Sequence, residues 1–391
     1  MTRTADPPVR SVPFLLSLLW LIGFQLRVTI LAVPPVLPLI HRDLGLSEKA
    51  VGVLSALPVL LLGLVAIPGS LMVARLGARR ACIFGLAVVA AAGAARGIGP
   101  TAATLYGMTL AMGIGAAVMQ PTLPTLVGEW LPSRPGLATA VYANGLLIGE
   151  VVPAALTIPL VLPWVGGSWA WSFVVWSAPV GITALLVATL TPHRARALPS
   201  RAYRWWPDWR SPLPWQLGML LGGTGGLYFS ANAFVPDYLH AIGRPELVGP
   251  CLSALNIGQL PASAIILAFA RRLIGNRRLI VASTLVGFGA LALLLTAIPV
   301  LTVAASGVIG FCCGMQLVTS LALPPLLAPV ADVHRLSAAM FAIGYLVSFL
   351  MPPLGGAVWD ASGVPASAFC ASAVSIALTL AGAAALPRLK T

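Results

Sequence analysis

Charged side chains are scarce in this sequence. Asp, Glu, Lys and Arg together make up 8% of its 391 residues, whereas 59% of the residues are hydrophobic. Soluble domains carry about 25% charged residues, so this composition excludes a soluble fold. The apolar segments are long and continuous rather than alternating over about ten residues, which argues against a transmembrane β-barrel. The sequence therefore predicts an all-α integral membrane protein.

Motifs for several kinds of chemistry are missing as well. The sequence contains no G-x-x-x-x-G-K-[ST], H-E-x-x-H or G-x-S-x-G motif, which argues against an ATP-driven pump, a zinc protease or a hydrolase. The four histidines lie near the ends of apolar segments, and the five cysteines lack metal-ligand spacing. We therefore expect no enzyme activity, metal or other cofactor, and we expect the cysteines to be small buried packing residues.

Twelve apolar segments are separated by polar or Pro/Gly-rich breaks. Each is long enough to cross a hydrocarbon core, which is about 30 Å thick and needs about 20 residues of helix. The predicted spans are residues 12–40, 50–74, 81–98, 101–128, 137–162, 168–191, 214–239, 247–270, 279–297, 300–327, 337–359 and 364–386.

The positive charges are distributed unevenly across these spans. With the N-terminus inside, 18 of the 23 Lys and Arg residues lie in cytoplasmic segments, and the outside receives only Arg42, Lys49, Arg96 and Arg244. Positively charged loops stay in the cytoplasm, so both termini are predicted to be cytoplasmic, with the protein in the inner membrane. The net charge of +13 is thus a topology signal rather than a sign of nucleic-acid binding.

The longest hydrophilic stretch, PHRARALPSRAYRWWPDWRSP, divides the chain in two. It predicts an N-terminal six-helix bundle at 1–191, a cytoplasmic basic linker at 192–212 and a C-terminal six-helix bundle at 213–391. Interleaved Arg and Trp also occur in nucleic-acid-binding segments, but a basic loop with Trp at the lipid headgroups is favoured here. The expected partners are the lipid bilayer and a small-molecule substrate, and the protein is expected to be a monomer.

The two halves resemble each other at a nearly constant offset. LSAL begins at Leu54 and again at Leu252, and GARR at Gly77 recurs as GNRR at Gly275, both 198 residues apart. LATAVYANG and LSAAMFAIG are related by 199 residues. Such a duplication predicts two pseudo-repeated six-helix bundles, an arrangement typical of transporters that bind their substrate near the middle of the membrane.

The loop after the second span resembles the G-x-x-x-D-R-x-G-R-R signature of the major facilitator superfamily. Its sequence is SLMVARLGARR, in which Ser70 replaces the first Gly and Ala74 replaces the Asp. The loss of that carboxylate removes part of the charge relay that the family normally has between its halves. The positions that match, and to which the resemblance assigns a role in gating, are Arg75, Gly77, Arg79 and Arg80.

Within that superfamily, the chain is similar to the cyanate permease and 2-nitroimidazole transporter family. The resemblance is carried by GFQLRVTILAVPPVLP, SALPVLLLGLVAIPGS, GIGAAVMQPTLPTLV and LSALNIGQLPASA. Gln25 and Val28 stand where the family has Asn and Pro. The resemblance implies the major facilitator fold, and a substrate that is cyanate, another small anion or a nitroimidazole-like heterocycle.

Arg27 lies near the middle of the first span, where an arginine costs at least about 2.5 kcal/mol. It either faces a central cavity and binds an anionic or nitro-like substrate with its fork of donors, or it forms a structural pair with an acid. The resemblance implies a first-helix Arg at this position and so favours the first interpretation.

Glu150 is the one acid near the middle of a predicted span, which makes it the natural partner for Arg27. The superfamily's fold implies that helices one and five are neighbours. Glu150 is either a proton-coupling site, since its charge would respond to substrate binding, or half of a static ion pair.

Uncharged polar residues at similar depth are candidates for the cavity wall. Tyr228 and Asn232 are spaced i, i+4 and can face one cavity. The other candidates are Asn256 and Gln259 in span eight and Gln120 in span four. All five either bind substrate or only form hydrogen bonds between helices.

The sequence thus predicts a secondary active transporter that works by alternating access, with protons as a candidate coupling ion. The alternatives are a passive channel and a membrane sensor that does not transport.

Overall fold

The structure is a computed structural model that describes residues 11–46, 48–99, 101–191 and 205–386. Most of the predicted linker, including Arg194, Arg196, Arg201 and Arg204, lies outside the described residues. The same holds for both chain termini, so the predicted cytoplasmic location of the termini stays a prediction.

Twelve helical rods, named α1 to α12 in chain order, form most of the described part of the chain, together with shorter helical segments. Two of the rods, α2 and α8, are each broken into two segments. α1 is Val12–Leu31, α2 is Glu48–Leu64 with Ala66–Leu76, α3 is Ala78–Ala95, α4 is Ala102–Trp130, α5 is Pro135–Leu156 and α6 is Trp169–Leu190. α7 is Pro212–Ala241, α8 is Val248–Ile257 with Gln259–Ala268, α9 is Arg277–Leu294, α10 is Pro299–Leu327, α11 is Val333–Ser362 and α12 is Cys370–Ala385.

These rods have the length and composition of membrane spans. Within the described residues, ten of them are long and apolar enough to cross a membrane, and α2 is an eleventh if its two segments, bent by 53°, count as one span. The remaining rod, α7, is 30 residues long and has a glycine-rich, more polar centre, GGTGGLYFSAN. The predicted all-α membrane fold is confirmed.

The two halves of the chain repeat the same pattern of helix neighbours. α1 packs on α5 as α7 packs on α11, and α3 packs on α4 and α6 as α9 packs on α10 and α12. Likewise α2 packs on α4, and α8 on α10. A shift of six helices therefore relates one half to the other, as expected for a duplicated bundle.

Glycine allows α5 to lie directly against α1. A Cβ atom added at Gly145 or Gly149 of α5 would collide with the backbone carbonyl of Trp20 or Phe24 of α1. Small residues permit such close approach of membrane helices. This contact fixes the distance between the central parts of α1 and α5.

Proline interrupts α1 but not α4 or α11. After α1, Pro34–Val36 forms a 3₁₀ turn that leads into a short further helix. α4 continues through Pro121 and Pro124, and α11 continues through Pro352 and Pro353. Of these three groups of prolines, only the first therefore lies where regular α-helix ends.

At the end of the bundle where α6 stops and α7 begins, here called the linker end, the two halves share a hydrophobic core. Leu126 and Ala138 of the first half belong to the same cluster of described residues as Leu323 and Leu336 of the second half. Near this end α5 packs on α8 and α10, and α11 packs on α2 and α4. Apolar contacts therefore hold the halves together there.

At the opposite end, each half has its own core among the described residues. Trp169 and Phe173 belong to a cluster drawn from the first half alone. Tyr238 and Phe369 belong to a cluster drawn from the second half alone. Neither of these two clusters therefore contains residues of both halves.

Two side chains differ from expectation in their burial. Arg96, expected to be an exposed outside charge, is fully buried, because α3 continues in helical conformation at its C-cap and turns the side chain inward. Its Nη2 donates to the carbonyl of Thr29 at 2.8 Å, and its guanidinium lies 4.4 Å from the centre of the Phe173 ring. Cys370, at the start of α12, is exposed, whereas the other four cysteines are buried.

Candidate substrate site between the two halves

Arg27 lies four residues before the C-terminal end of α1 and has 6% of its surface exposed. Its Nε is 3.3 Å from Oε1 of Glu150 on α5, so the structure brings the two sequence-predicted partners into contact. The alignment is poor, because Nε has no hydrogen-bond partner among the described residues. Arg27 therefore has a charge partner and still retains an unused buried donor.

Tyr345 of α11 contacts Arg27 from the opposite half of the protein. The Tyr345 hydroxyl oxygen accepts a hydrogen bond from Nη2 of Arg27 at 2.9 Å. The same oxygen accepts a second hydrogen bond from Nε2 of Gln120 on α4 at 2.8 Å. Two polar side chains of the first half thus converge on one oxygen of the second half.

Packing holds the Tyr345 ring in this position. The ring stacks on Phe341, with the centroids 5.9 Å apart and the planes at 16°. On the α2 side, the Tyr345 Cβ would lie 3.3 Å from a Cβ added at Gly63, so α2 and α11 approach closely here. The stacking on Phe341 and the close approach of α2 to the Tyr345 Cβ therefore help to hold the hydroxyl between the halves.

Sequence reasoning missed Tyr345. The signal that could have found it is modest: it is one of six tyrosines in the chain, and it lies in the middle of an apolar span. A tyrosine buried at that depth needs a partner for its hydroxyl. Which partner it finds depends on the packing of α11 against α2 and α4, and this is a property of the tertiary structure.

Three of the predicted cavity residues of the second half form one hydrogen-bonded group. The hydroxyl of Tyr228 donates to Oδ1 of Asn256 at 2.5 Å, and Nδ2 of Asn256 donates to Oδ1 of Asn232 at 3.0 Å. The Asn232 amide donates back to the carbonyl of Tyr228 at 2.9 Å. Gln259, which is buried, interacts with the Tyr228 hydroxyl. The side chains of Tyr228, Asn232 and Asn256 are partly exposed.

Tyr228 links this group to the charged pair. Its phenol interacts electrostatically with both Arg27 and Glu150. The predicted residues of α1, α4, α5, α7 and α8 therefore surround one region between the halves. This region holds a cation, an acid, amides and phenols.

The sequence has two Met-Gln pairs, Met119-Gln120 in α4 and Met315-Gln316 in α10, and their surroundings differ. Gln120 reaches across to Tyr345, as described above. Gln316 of α10 instead accepts a hydrogen bond from Thr224 at 3.0 Å and donates to Ser283 and Thr284, all within the second half. Only the Gln of the first half therefore takes part in the central site.

A second polar contact joins the halves between α5 and α8. Nδ2 of Asn144 donates to Oγ of Ser263 at 3.0 Å, and Oδ1 of Asn144 accepts from Nε1 of Trp20 at 3.0 Å. Sequence reasoning did not single out this contact. It lies on the linker side of Glu150, and it connects α1, α5 and α8.

The signature loop between α2 and α3 bonds within its own half. Nε of Arg79 donates to Oγ1 of Thr191 at 2.7 Å, and Nη2 of Arg79 donates to the carbonyl of Ala188 at 2.5 Å. A cation at the C-terminus of a helix is favourable, so Arg79 caps α6. Gly77 has φ = 81°, a conformation that suits glycine at this tight turn.

The other signature positions have different surroundings. Arg75 and Arg80 are exposed, and Ala74, which replaces the signature's Asp, is buried. Ser70 is buried, and its Oγ donates to the carbonyl of Trp205 at 2.9 Å. The described end of the linker is thus hydrogen-bonded to α2. A gating role for these residues stays a prediction.

Two repeated six-helix bundles with a buried charged pair between them are typical of membrane transporters. A family model described as Major Facilitator Superfamily matches residues 19–245, more than half of the chain. The crystal structure of the Major Facilitator Superfamily transporter FucP in the outward conformation superposes with a TM-score of 0.75 at 14% identity. That superposition covers 95% of this chain and 98% of FucP, and it concerns the fold alone.

Curated transporters are similar in sequence. The cyanate transport protein CynX of Escherichia coli (strain K12) is 27% identical over 89% of this chain and 91% of its own length. The 2-nitroimidazole transporter of the same strain is 26% identical over 88% of this chain and 87% of its own length. An uncharacterized transporter, YycB of Bacillus subtilis (strain 168), is 27% identical over 67% of this chain and 65% of its own length.

The chain belongs to the Major Facilitator Superfamily. It is therefore a membrane transporter rather than an enzyme.

Proposed function

We propose that this protein is a secondary active transporter that moves a small anion or a nitro-heterocycle across the cytoplasmic membrane by alternating access. The observation that carries the proposal is Arg27, a buried cation between the halves that contacts Glu150 of its own half and Tyr345 of the other. A cation at this depth is costly, and charged residues inside a membrane usually mark a substrate or ion pathway. Its donors suit an anion or the oxygens of a nitro group.

The names of two relatives support this range of substrates. One is named as a cyanate transporter and the other as a 2-nitroimidazole transporter, and each aligns with nearly nine tenths of this chain. We propose that the substrate contacts Arg27 and Gln120 of the first half. In the second half, the proposed contacts are Tyr228, Asn232, Asn256 and Gln259.

We further propose that Glu150 couples transport to protons. A substrate anion that binds Arg27 competes with the Glu150 carboxylate, and a buried carboxylate that loses its cation is neutralised by a proton. The anion and the proton would then bind together. The charged and titratable groups that face Glu150 are Arg27 of α1 and Tyr228 of α7, with Tyr345 of α11 beyond Arg27 and Cys313 of α10 beside Tyr228.

The proposed working units are residues 1–191 and 213–391, joined by the cytoplasmic linker 192–212. They rock against each other about the central site, with Arg75, Gly77, Arg79 and Arg80 in the loop that changes contacts during gating. The protein acts as a monomer with both termini in the cytoplasm.

The test is counterflow in proteoliposomes with labelled cyanate and labelled 2-nitroimidazole. A carrier shows faster labelled uptake when unlabelled substrate is preloaded, whereas a passive channel does not. We expect Arg27→Ala to abolish counterflow and Arg42→Ala, which removes an exposed arginine near α1, to retain it. If neither compound moves while the purified protein remains folded and monodisperse, the proposed substrates are wrong.

A further inference from the structure

Two oxygen atoms, one from each half of the protein, lie near Nε and Nη2, the two nitrogens that form one edge of the Arg27 guanidinium. The hydroxyl oxygen of Tyr345 lies 2.9 Å from Nη2, and Oε1 of Glu150 lies 3.3 Å from Nε. The Nε–H bond and one Nη2–H bond of an arginine point the same way along this edge. Planar groups with two oxygens bind this edge through two parallel hydrogen bonds.

The two protein oxygens satisfy this edge poorly. Tyr345 supplies a neutral hydroxyl, and Nε has no hydrogen-bond partner among the described residues although Arg27 is only 6% exposed. A buried donor without a partner is unfavourable. A ligand that accepts hydrogen bonds from both Nε and Nη2 of Arg27 would therefore satisfy this edge better than the two protein oxygens do.

We propose that the substrate carries a planar group with two oxygens, a carboxylate or a nitro group, and that this group binds the Nε–Nη2 edge of Arg27. The two oxygens take the places of the Tyr345 hydroxyl and the Glu150 carboxylate. The proposal rests on the proposed function and narrows its substrate class. A cyanate ion is linear, with one oxygen and one nitrogen at opposite ends, and can fill only one of the two places.

Gln120 supplies a third donor for such a group. Its Nε2 now donates to the Tyr345 hydroxyl at 2.8 Å, so it points at the place that one substrate oxygen would take. The exchange also breaks the hydrogen bonds from Arg27 and Gln120 to Tyr345, which join the two halves. Binding of the substrate thereby removes these polar bonds between α11 and both α1 and α4.

The experiment compares three imidazoles that differ only at carbon 2: 2-nitroimidazole, imidazole-2-carboxylate and imidazole-2-carbaldehyde. Binding to the full chain in lipid nanodiscs is measured by calorimetry. We expect the nitro compound to bind at least about tenfold more tightly than the aldehyde, the effect of one hydrogen bond to a charged group. Because the nitro group makes the ring N–H acidic, these two compounds are compared as their N1-methyl derivatives, which are both neutral, so net charge does not explain a difference. The carboxylate is expected to bind as well.

Three variants separate a two-point contact from simple attraction to a cation. Arg27→Lys keeps the charge and loses the fork, so the preference for nitro over aldehyde should fall to within about twofold. Tyr345→Phe keeps the ring stacking on Phe341 and removes the competing oxygen, so the nitro compound should bind several-fold more tightly. Ser348→Ala, in the same helix, removes a hydroxyl that bonds within its own half and should change neither value.

Several outcomes would overturn the inference. These are equal binding of the nitro and aldehyde compounds to the wild type, an unchanged preference in Arg27→Lys, and weaker nitro binding in Tyr345→Phe. If Arg27→Lys does not fold, Tyr345→Phe decides. If no imidazole binds but cyanate counterflow depends on Arg27, this inference fails and the proposed function stands. If the folded protein binds and moves none of these compounds, both fail.

Discussion

Replacing Glu150 by Gln removes the negative charge that lies 3.3 Å from Nε of Arg27. At this distance, two unit charges attract each other by about 5 kcal/mol in a medium with an effective dielectric constant of about 20. Desolvation of both groups offsets part of this attraction, and breaking a buried pair from one side typically costs about 3–5 kcal/mol. The side chains are 8% and 18% exposed, so water screens the pair only weakly.

We expect Glu150→Gln to lower the free energy of unfolding by about 3 kcal/mol, at the lower end of that range, because Arg27 keeps its hydrogen bond to Tyr345. Arg27→Met should cost about 3–5 kcal/mol, because it leaves Glu150 without a cation. The double variant should be less destabilised than the sum of the two single variants, with a coupling energy of about 2–3 kcal/mol. Unfolding by SDS in mixed micelles, followed by circular dichroism, measures all three.

The exposed pair of Arg42 and Asp43 is the matched control. Its atoms are 3.2 Å apart, nearly the same distance, but its side chains are 75% and 43% exposed. A double-mutant cycle there should give less than about 1 kcal/mol of coupling. If the Arg27–Glu150 coupling is no larger than this, burial does not strengthen the central pair, and the charge competition proposed for transport loses its basis.

Three further substitutions test other parts of the structure. In Gly149→Leu, the new side chain would collide with the Phe24 carbonyl, so we expect no monodisperse protein in size-exclusion chromatography. Gly107→Ala should be tolerated, because Gly107 has open space around it. Arg79→Ala should lower the free energy of unfolding by about 1–3 kcal/mol through two lost hydrogen bonds to the end of α6, and Arg80→Ala should leave it unchanged in the same SDS titration. Glu150→Gln should retain counterflow but lose uphill uptake driven by an imposed pH gradient; persistent uphill uptake would exclude Glu150 as the proton carrier.

The contact between Arg27 and Glu150 could be anticipated from sequence. A single cation and a single acid lay deep in predicted spans, and the family resemblance made their two helices neighbours. The division into repeated bundles was equally accessible, because a constant offset links several separate segments. Both inferences rest on features that can be read along the chain, namely charges within apolar segments and similar segments at a constant spacing.

Tyr345 and Arg96 show where such reasoning ends. Tyr345 contacts Arg27 and Gln120 because α11 lies close to α2 and α4. No local sequence pattern in α11 predicts those contacts. The sequence places Arg96 near the end of the third predicted span, 81–98, and counts it with the outside charges, whereas the structure buries its side chain against the carbonyl of Thr29. Gln120 and Gln316 occupy similar Met-Gln contexts, and only the three-dimensional structure distinguishes the one that crosses between the halves.

The contacts between the halves suggest how substrate binding would be linked to movement. Ala74 replaces the acid of the family signature, and the hydrogen bonds described for Arg79 remain within the first half. At the linker end, the halves are instead held by a shared apolar core. The polar bonds that a substrate in the central site can break are those that Tyr345 receives from Arg27 and Gln120. Substrate binding would therefore first break the polar contacts of α11. The contacts of the signature loop would change afterwards.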